Sequence, residues 1–330
     1  MKAMVWTAFG PPDVLQLQEV EKPVPKDNEI LVRIYATTAS AGDCEMRRME
    51  INPAFYRLPM RIHVGFFRPT KITILGQDLA GEIEAVGRAV KRFQAGDQVF
   101  ASTSWRFGTY AQYTCLPEGG LVATKPANMT YEQAAAVPLG GLEALCFLRM
   151  GGVQSGDRGV INGAGGTIGT FAVQVAKYFG AEVTGVDHTT KLDMLRSIGA
   201  DQVVDYTRED FTRRGEHYEL IVDVVGKASF SGAVRSLVPG GRYLIANAGP
   251  SQMVRGRWVS RMSSKEVIVG AAYPKMEDLV FLRELIEAGK IKTVIDRTYP
   301  LEQVPEAHRY VETGQKKGHV VITVGHNNQT

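Results

Sequence analysis

The residues with the clearest chemical potential are Gly163, Ala164, Gly165, Gly166, Thr167, Ile168 and Gly169. They follow apolar Val160 and Ile161, and they precede Phe171, Ala172, Val175, Ala176 and Phe179, which with Ile168 recur at helical intervals. The order is strand, tight turn, helix. Such a junction aims backbone N–H groups and the positive end of a helix dipole at whatever lies over the turn, which suits a pyrophosphate. Read as A-x-G-x-x-G, the turn uses Ala164, Gly166 and Gly169, with Gly163 and Gly165 adding slack. A bare glycine pattern is weak, but a second apolar strand, Glu182 to Val186, ends in Asp187 and completes the dinucleotide context. A carboxylate there accepts hydrogen bonds from the adenine ribose and repels a 2′-phosphate.

The elements that must position this turn alternate. From Arg158 onward, apolar runs at Val160, Val183, Val203, Leu220 to Val225 and Tyr243 to Ala246 are separated by amphipathic helices, the pattern of parallel strands with crossovers. A strand Glu266 to Ala272, a helix Met276 to Ala288 stopped by Gly289, a strand near Val294, a helix entered through Pro305 and a strand His319 to Val324 follow. Before them, Met1 to Ala123 reads as β-rich, with strands at Ala3 to Thr7, Val14 to Glu19, Glu29 to Ala36, Leu79 to Val86, Asp97 to Phe100 and Gly108 to Leu116. No helix of length is expected before residue 40. Thr130-x-x-Gln133 is a capping box, and Pro138 should break the run before a second helix, Gly141 to Arg149. The tail His326 to Thr330 should fray.

At 330 residues and 44% apolar, the chain can bury a large core in about two domains. Its net charge of +3 argues against a nucleic-acid binder. Cys44, Cys115 and Cys146 lie far apart and form no CxxC pair, so neither a disulfide framework nor a cysteine-rich zinc module is expected; a reducing cytoplasm fits. Histidines stand at 63, 188, 217, 308, 319 and 326, none paired at a metal-binding helical spacing, and most are expected at the surface. No signal peptide or membrane-spanning run is evident.

With the glycine turn in hand, GQDLAGEIEAVG (76–87), GTYAQYTCLPE (108–118) and AAAVPLGGLEAL (134–145) complete a resemblance to the medium-chain dehydrogenase/reductase superfamily over almost the full length. The chain is most similar to its zinc-independent quinone oxidoreductase-like branch. The resemblance implies a GroES-like β-rich catalytic domain at 1–123, a Rossmann doubly wound parallel sheet binding NAD(P) at 124–270, and a segment 271–330 returning to the catalytic domain. Where zinc members place a Cys, a His-Glu pair and a later Cys or acid, this chain has Ser40, Gln77 with Asp78, and Pro138-Leu139. Serine, glutamine and leucine do not make a tight tetrahedral zinc site, so no metal is expected.

Without a Lewis acid, hydride delivery to a quinone or an α,β-unsaturated carbonyl compound is easier than alcohol oxidation, because conjugation spreads the developing charge. An alcohol dehydrogenase or aldehyde reductase, and an NAD(P)H-sensing binding protein without turnover, remain alternatives. The matched positions nominate Ser40, Asp43, Gln77 and Asp78 for the substrate shell, with Tyr56 in the following loop. For Asp43 and Asp78 a structural hydrogen-bonding role is an equal alternative. Lys191 and Tyr206 fall where NADPH-using relatives hold the 2′-phosphate, Lys316 and Lys317 could approach from the C-terminal segment, and Asn247 is a further cofactor candidate. With Asp187 opposing them, NADP(H) and NAD(H) stay undecided. Glu143 stands where related chains often carry a threonine beside the nicotinamide.

Two basic clusters interleave with aromatics: Arg47, Arg48, Arg57, Arg61, Arg68 and Lys71 around Phe55, Tyr56, Phe66 and Phe67, and Arg255, Arg257 and Arg261 around Trp258. They suit anionic substrates or weak contact with a quinone-bearing membrane surface, and a solvated, partly packed loop roofing the pocket is the plainer reading. The resemblance also implies a homodimer, paired through the edge strand around Val267 to Val269.

Overall fold

The computed structural model describes residues 1–51 and 53–326, so residues 327–330 of the tail expected to fray lie outside the described residues. The chain divides into two units, one of Met1–Leu139, Lys275–Glu287 and Thr293–Thr330, the other of Gly140–Pro274 and Ala288–Lys292. Residues 124–139 therefore sit with the first unit, unlike the expected boundary at 123. Hydrogen bonds explain it: Ala127 N–H donates to the Glu287 carboxylate (3.1 Å), the Asn128 amide to the Ile286 carbonyl (3.0 Å), and Leu139 N–H to Asp78 (3.1 Å). Residues 288–292 go back to the second unit, where Gln174 and Lys292 exchange two hydrogen bonds of 2.9 Å.

The second unit is built on six parallel strands in the order Gln202–Asp205, Glu182–Asp187, Arg158–Asn162, Tyr218–Asp223, Leu237–Ile245 and Glu266–Val269. Numbered along the chain, that is 3-2-1-4-5-6, and the reversal falls between Arg158–Asn162 and Tyr218–Asp223. Ligand crevices open at the carboxyl ends of the strands beside such a reversal. Val160, Val186, Val204, Ile221 and Ile245 form the core beneath. The helix Thr167–Tyr178 buries Phe171, Ala172, Val175 and Ala176, as their spacing predicts.

In the first unit the strand Glu29–Ala39 pairs antiparallel with Asp78–Val86, Tyr113–Pro117 and His319–Thr323, in a seven-stranded sheet. Its alternating residues Ile30, Val32 and Ile34 enter one core with Leu79, Ile83, Val320 and Ile322. The strand expected from Gly108 starts only at Tyr113, because Phe107 (φ 55°) and Gly108 (φ 98°) turn the backbone out of extension. Pro138 separates two helices as expected, Tyr131–Ala135 ending before it, but the second opens at Pro138 itself, Pro138–Met150, since its missing N–H falls among those a first turn leaves unpaired. Short helices Ala41–Arg48 and Arg57–Val64, which no periodicity predicted, complete the region around Ser40. Among the described residues no helix is long and apolar enough to cross a membrane.

Candidate active site

The glycine turn is built as its composition requires. Gly163 has φ +86°, a conformation side chains resist, and a Cβ on Gly169 would meet the Gly163 carbonyl at 2.2 Å and Ala164 Cα at 2.6 Å. Gly166 caps Thr167–Tyr178 with no side-chain cap hydrogen bond. Ala164, Gly165 and Gly169 are buried beneath, while Gly166, Thr167 and Ile168 form a half-buried, accessible lip. A helix N-terminus that starts from a glycine turn in this way fits the pyrophosphate of a dinucleotide.

Asp187 does not stand open at its strand end. It is buried, accepts from Gly165 N–H (2.7 Å) and His188 N–H (2.8 Å), and pairs with Lys191 Nζ at 3.1 Å. The two opposed candidates for choosing the cofactor thus hold each other. Tyr206 lies largely exposed, edge-on to His188 with centroids 6.0 Å apart. Asn247 donates to the Val224 carbonyl (3.4 Å), next to Asp223, a buried acceptor of Asn162 (2.8 Å), Gly226 N–H (2.8 Å) and Ala228 N–H (3.0 Å). Asn162 and Asp223 thus mark the reversal point, and no glycine or charge pattern pointed to them. Glu143, on Pro138–Met150, is half-buried, and burial alone pushes its carboxyl up to about 7. In the first unit Lys316 is spent locally, its Nζ on the Gly318 carbonyl at 2.7 Å, and Lys317 N–H donates to Asp296 at 3.0 Å.

Also in the first unit, Ser40, Asp43, Gln77 and Asp78 come together. Ser40 caps Ala41–Arg48 in a capping box the sequence reading missed: its Oγ accepts from Asp43 N–H (3.1 Å) and donates to Asp43 Oδ2 (2.6 Å), which also takes Ser40 N–H (2.9 Å). A Cβ on Gly42 would lie 3.6 Å from Ser40 Oγ and 4.0 Å from Gln77 Oε1, so both side chains flank the same helix start. Gln77 Nε2 donates to the Ser104 carbonyl at 3.0 Å. Asp78 accepts from Thr38 Oγ1 (3.2 Å) and from Leu139 N–H (3.1 Å). Burial first, then the neighbouring Asp43 charge, pushes Asp78 well above the usual carboxylate range. Burial also raises Asp43, against the pull of the Ser40 and Gly76 donors. A buried carboxyl favouring its neutral form is a proton or hydrogen-bond donor in waiting. Tyr56 is not drawn in: it is exposed, its ring packs on Phe55 with centroids 4.4 Å apart, and it has no hydrogen bond to these four among the described residues.

Behind Asp43 lies a network that sequence reasoning did not find. His308, expected at the surface with most histidines, is fully buried, as is His319. Arg47 donates to His308 Nδ1 (3.1 Å); an arginine only donates, so Nδ1 accepts and Nε2 carries the hydrogen toward the Tyr110 hydroxyl at 3.0 Å. Tyr110 in turn bonds Asp43. Arg47, itself fully buried, pairs with Glu312, which also takes Arg48 at 2.7 Å. Burial lowers the His308 and His319 imidazoles to about 3. The available signal was Arg47 itself, one turn after Asp43 and Cys44 on the buried face of Ala41–Arg48, a position where a charge demands a partner.

Comparisons with known proteins agree with this geometry. Residues 26–127 match the family described as alcohol dehydrogenase GroES-like domain, and residues 198–322 match the family described as zinc-binding dehydrogenase. The chain is 32% identical to 2-methylene-furan-3-one reductase of Solanum lycopersicum, over 98% of its own length and 79% of that protein. It is 30% identical to the chloroplastic NADPH-dependent alkenal/one oxidoreductase of Arabidopsis thaliana, with the same coverage of 98% and 79%. Among solved structures, the quinone oxidoreductase from Coxiella burnetii superposes with a TM-score of 0.87 at 26% identity, covering 98% of this chain and 99% of that one.

Proposed function

Because this chain belongs to the medium-chain dehydrogenase/reductase superfamily, in its quinone oxidoreductase-like branch, we propose that it is an NAD(P)H-dependent oxidoreductase delivering hydride to a quinone or an α,β-unsaturated carbonyl compound, and that it does so without zinc. The carrying observation is the state of the donors at the positions zinc members use for metal. The Ser40 hydroxyl is committed to Asp43, the Gln77 amide to Ser104, and Leu139 offers an N–H that is committed to Asp78. A hydroxyl, a carboxamide and an aliphatic chain are a poor zinc set. When bound, the nicotinamide supplies the hydride. The chain's own residues do the rest: the glycine turn seats the diphosphate, and Ser40 and Gln77 line the acceptor's polar end. Asp78 holds the proton that a carbonyl oxygen needs as it gains charge.

A turnover screen followed at the nicotinamide absorbance, with quinones, enones and simple aldehydes side by side, is expected to favour the conjugated acceptors by about 100-fold or more, the several kcal/mol a missing Lewis acid forfeits on simple carbonyls. Stoichiometric zinc in the same preparation, with aldehydes as the better substrates, would instead assign an alcohol dehydrogenase. Cofactor preference rests on the Asp187–Lys191 pair. Asp187→Ser removes the repelling charge and releases the lysine, so NADPH should bind about tenfold tighter while NADH weakens. Titrating both cofactors by fluorescence checks this, and unchanged NADPH affinity refutes it. Among the described residues the edge strand Glu266–Val269 pairs on one side only, with Leu237–Ile245, which supports a homodimer joined there. Three unpaired cysteines support a reducing compartment, taken as the cytoplasm.

A further inference from the structure

We propose that residues 55–71 form a docking surface for an anionic lipid bilayer, a role beyond the reductase reading and independent of it. The stretch from Ile51 to Gln77 contains no Asp or Glu, yet it carries Arg57, Arg61, Arg68 and Lys71. Their hydrogen bonds do not neutralise them. Arg57 donates to the Ile51 carbonyl (3.2 Å), Arg61 to the Phe66 carbonyl (2.8 Å) and Lys71 to the Ile62 carbonyl (2.9 Å), while Arg68 is exposed. Among the described residues none of the four forms an ion pair with a carboxylate, so the surface keeps its full positive charge.

Large apolar side chains stand between these cations. Phe67 is 86% exposed, Leu58 and Ile62 are each 57% exposed, and Phe55 and Phe66 are about half exposed. Leu58 and Ile62 are four apart on Arg57–Val64 and share one outward stripe. Phe66 and Phe67 follow Gly65 and meet edge to face at 4.9 Å. The turn that holds them out is a built one: buried Val64 accepts from both Thr70 N–H and Lys71 N–H at 3.0 Å, and Gly65 has φ +131°, with the Arg68 carbonyl 2.2 Å from where a Cβ would be. His63 Nε2 bonds the Trp105 carbonyl at 2.9 Å, which brings that exposed indole to the same face.

Solvent-facing aromatic and aliphatic groups grouped this closely mark an interaction surface. The eight-residue helix is too short to span a membrane. Cations interspersed among rings match the headgroup boundary of a bilayer, with rings entering the acyl edge and guanidinium and ammonium groups meeting lipid phosphates. A flat acidic protein would satisfy the charges but leave the rings uncovered.

The test uses the full chain carrying Trp258→Phe, so that Trp105 is the remaining exposed tryptophan beside buried Trp6. Phosphatidylcholine vesicles with and without phosphatidylserine are sedimented with it at low and high salt. Binding is expected only with phosphatidylserine, reversed by salt, with a blue shift of Trp105 emission. Phe66→Ser/Phe67→Ser should lower the partition about tenfold or more through lost apolar insertion, and Arg68→Gln/Lys71→Gln about tenfold through lost charge. Unchanged thermal melting and cofactor binding in both variants confirm that the loss is one of docking. No binding at low salt, binding indifferent to lipid charge, or binding that survives both variants overturns the proposal. So does retention on polyglutamate that equals the vesicle binding and ignores the phenylalanine substitutions, which assigns the face to an acidic protein.

Discussion

Gly169→Ala should cripple cofactor binding by moving the helix, while Gly165→Ala should leave the helix in place and act through the Asp187–Lys191 pair, although both glycines lie in one turn. At Gly169 the added carbon meets backbone, the Gly163 carbonyl at 2.2 Å and Ala164 Cα at 2.6 Å, and only a shift of the helix against its strand can relieve that. At Gly165 it meets side chains instead, Lys191 Cδ at 2.5 Å, Asp187 Oδ2 at 3.0 Å and Lys191 Cβ at 3.1 Å, so the strain falls on that buried pair and not on the helix. Displacing the helix moves the N–H groups that must reach the diphosphate, so an affinity loss of about 100-fold or more is expected, with about 2–3 kcal/mol of folding stability lost to overpacking. Quenching of tryptophan emission by NAD(P)H and a urea melt measure the two. Cofactor affinity unchanged in Gly169→Ala would mean that the turn is not the cofactor's seat.

The second large effect is one of acid. The folded chain keeps His308 and His319 neutral down to about pH 3, whereas unfolded histidines take up protons near pH 6.5. A depressed folded pKa contributes stability that is complete above pH 6.5 and is lost as pH falls from there toward 3. At about 1.4 kcal/mol per unit of displacement, the pair together removes about 7 kcal/mol by pH 4. Asp43 and Asp78 act in the opposite sense: their raised carboxyls contribute more as pH falls. Comparing wild type with His319→Gln cancels those contributions. Urea midpoints at pH 7.5 and 4.5 should show the variant losing clearly less stability than wild type. Parallel losses would show that His319 titrates normally, and with it the burial argument would fail.

Much of this architecture could be read from residue order, because apolar runs four to six residues long, separated by amphipathic helices, leave few alternatives to a parallel sheet. The turn at 163–169 was equally legible, since it needs glycines for local reasons. What escaped reading was which groups bond to which. Asp187 and Lys191 were taken as rivals for the cofactor, and only the folded turn shows them bonded to each other. Ser40 and Asp43 carried an overlooked local signal, the Ser-x-x-Asp box. His308 carried none, because its partners Arg47 and Tyr110 lie some two hundred residues or more upstream. Tyr56, nominated through the loop it occupies, faces solvent on a segment whose composition suits lipid better than catalysis.

The path of the chain has a consequence for how the protein is made. The strand His319–Thr323 lies inside the first sheet, between Ile295–Pro300 and the central Glu29–Ala39. A ribosome releases that strand after every other strand of its sheet. The second unit is complete by then, its short return at 288–292 included, and can gain its structure during synthesis. The unit begun first must wait with the flank of its longest strand uncovered, an edge open to wrong pairing until the last strand arrives.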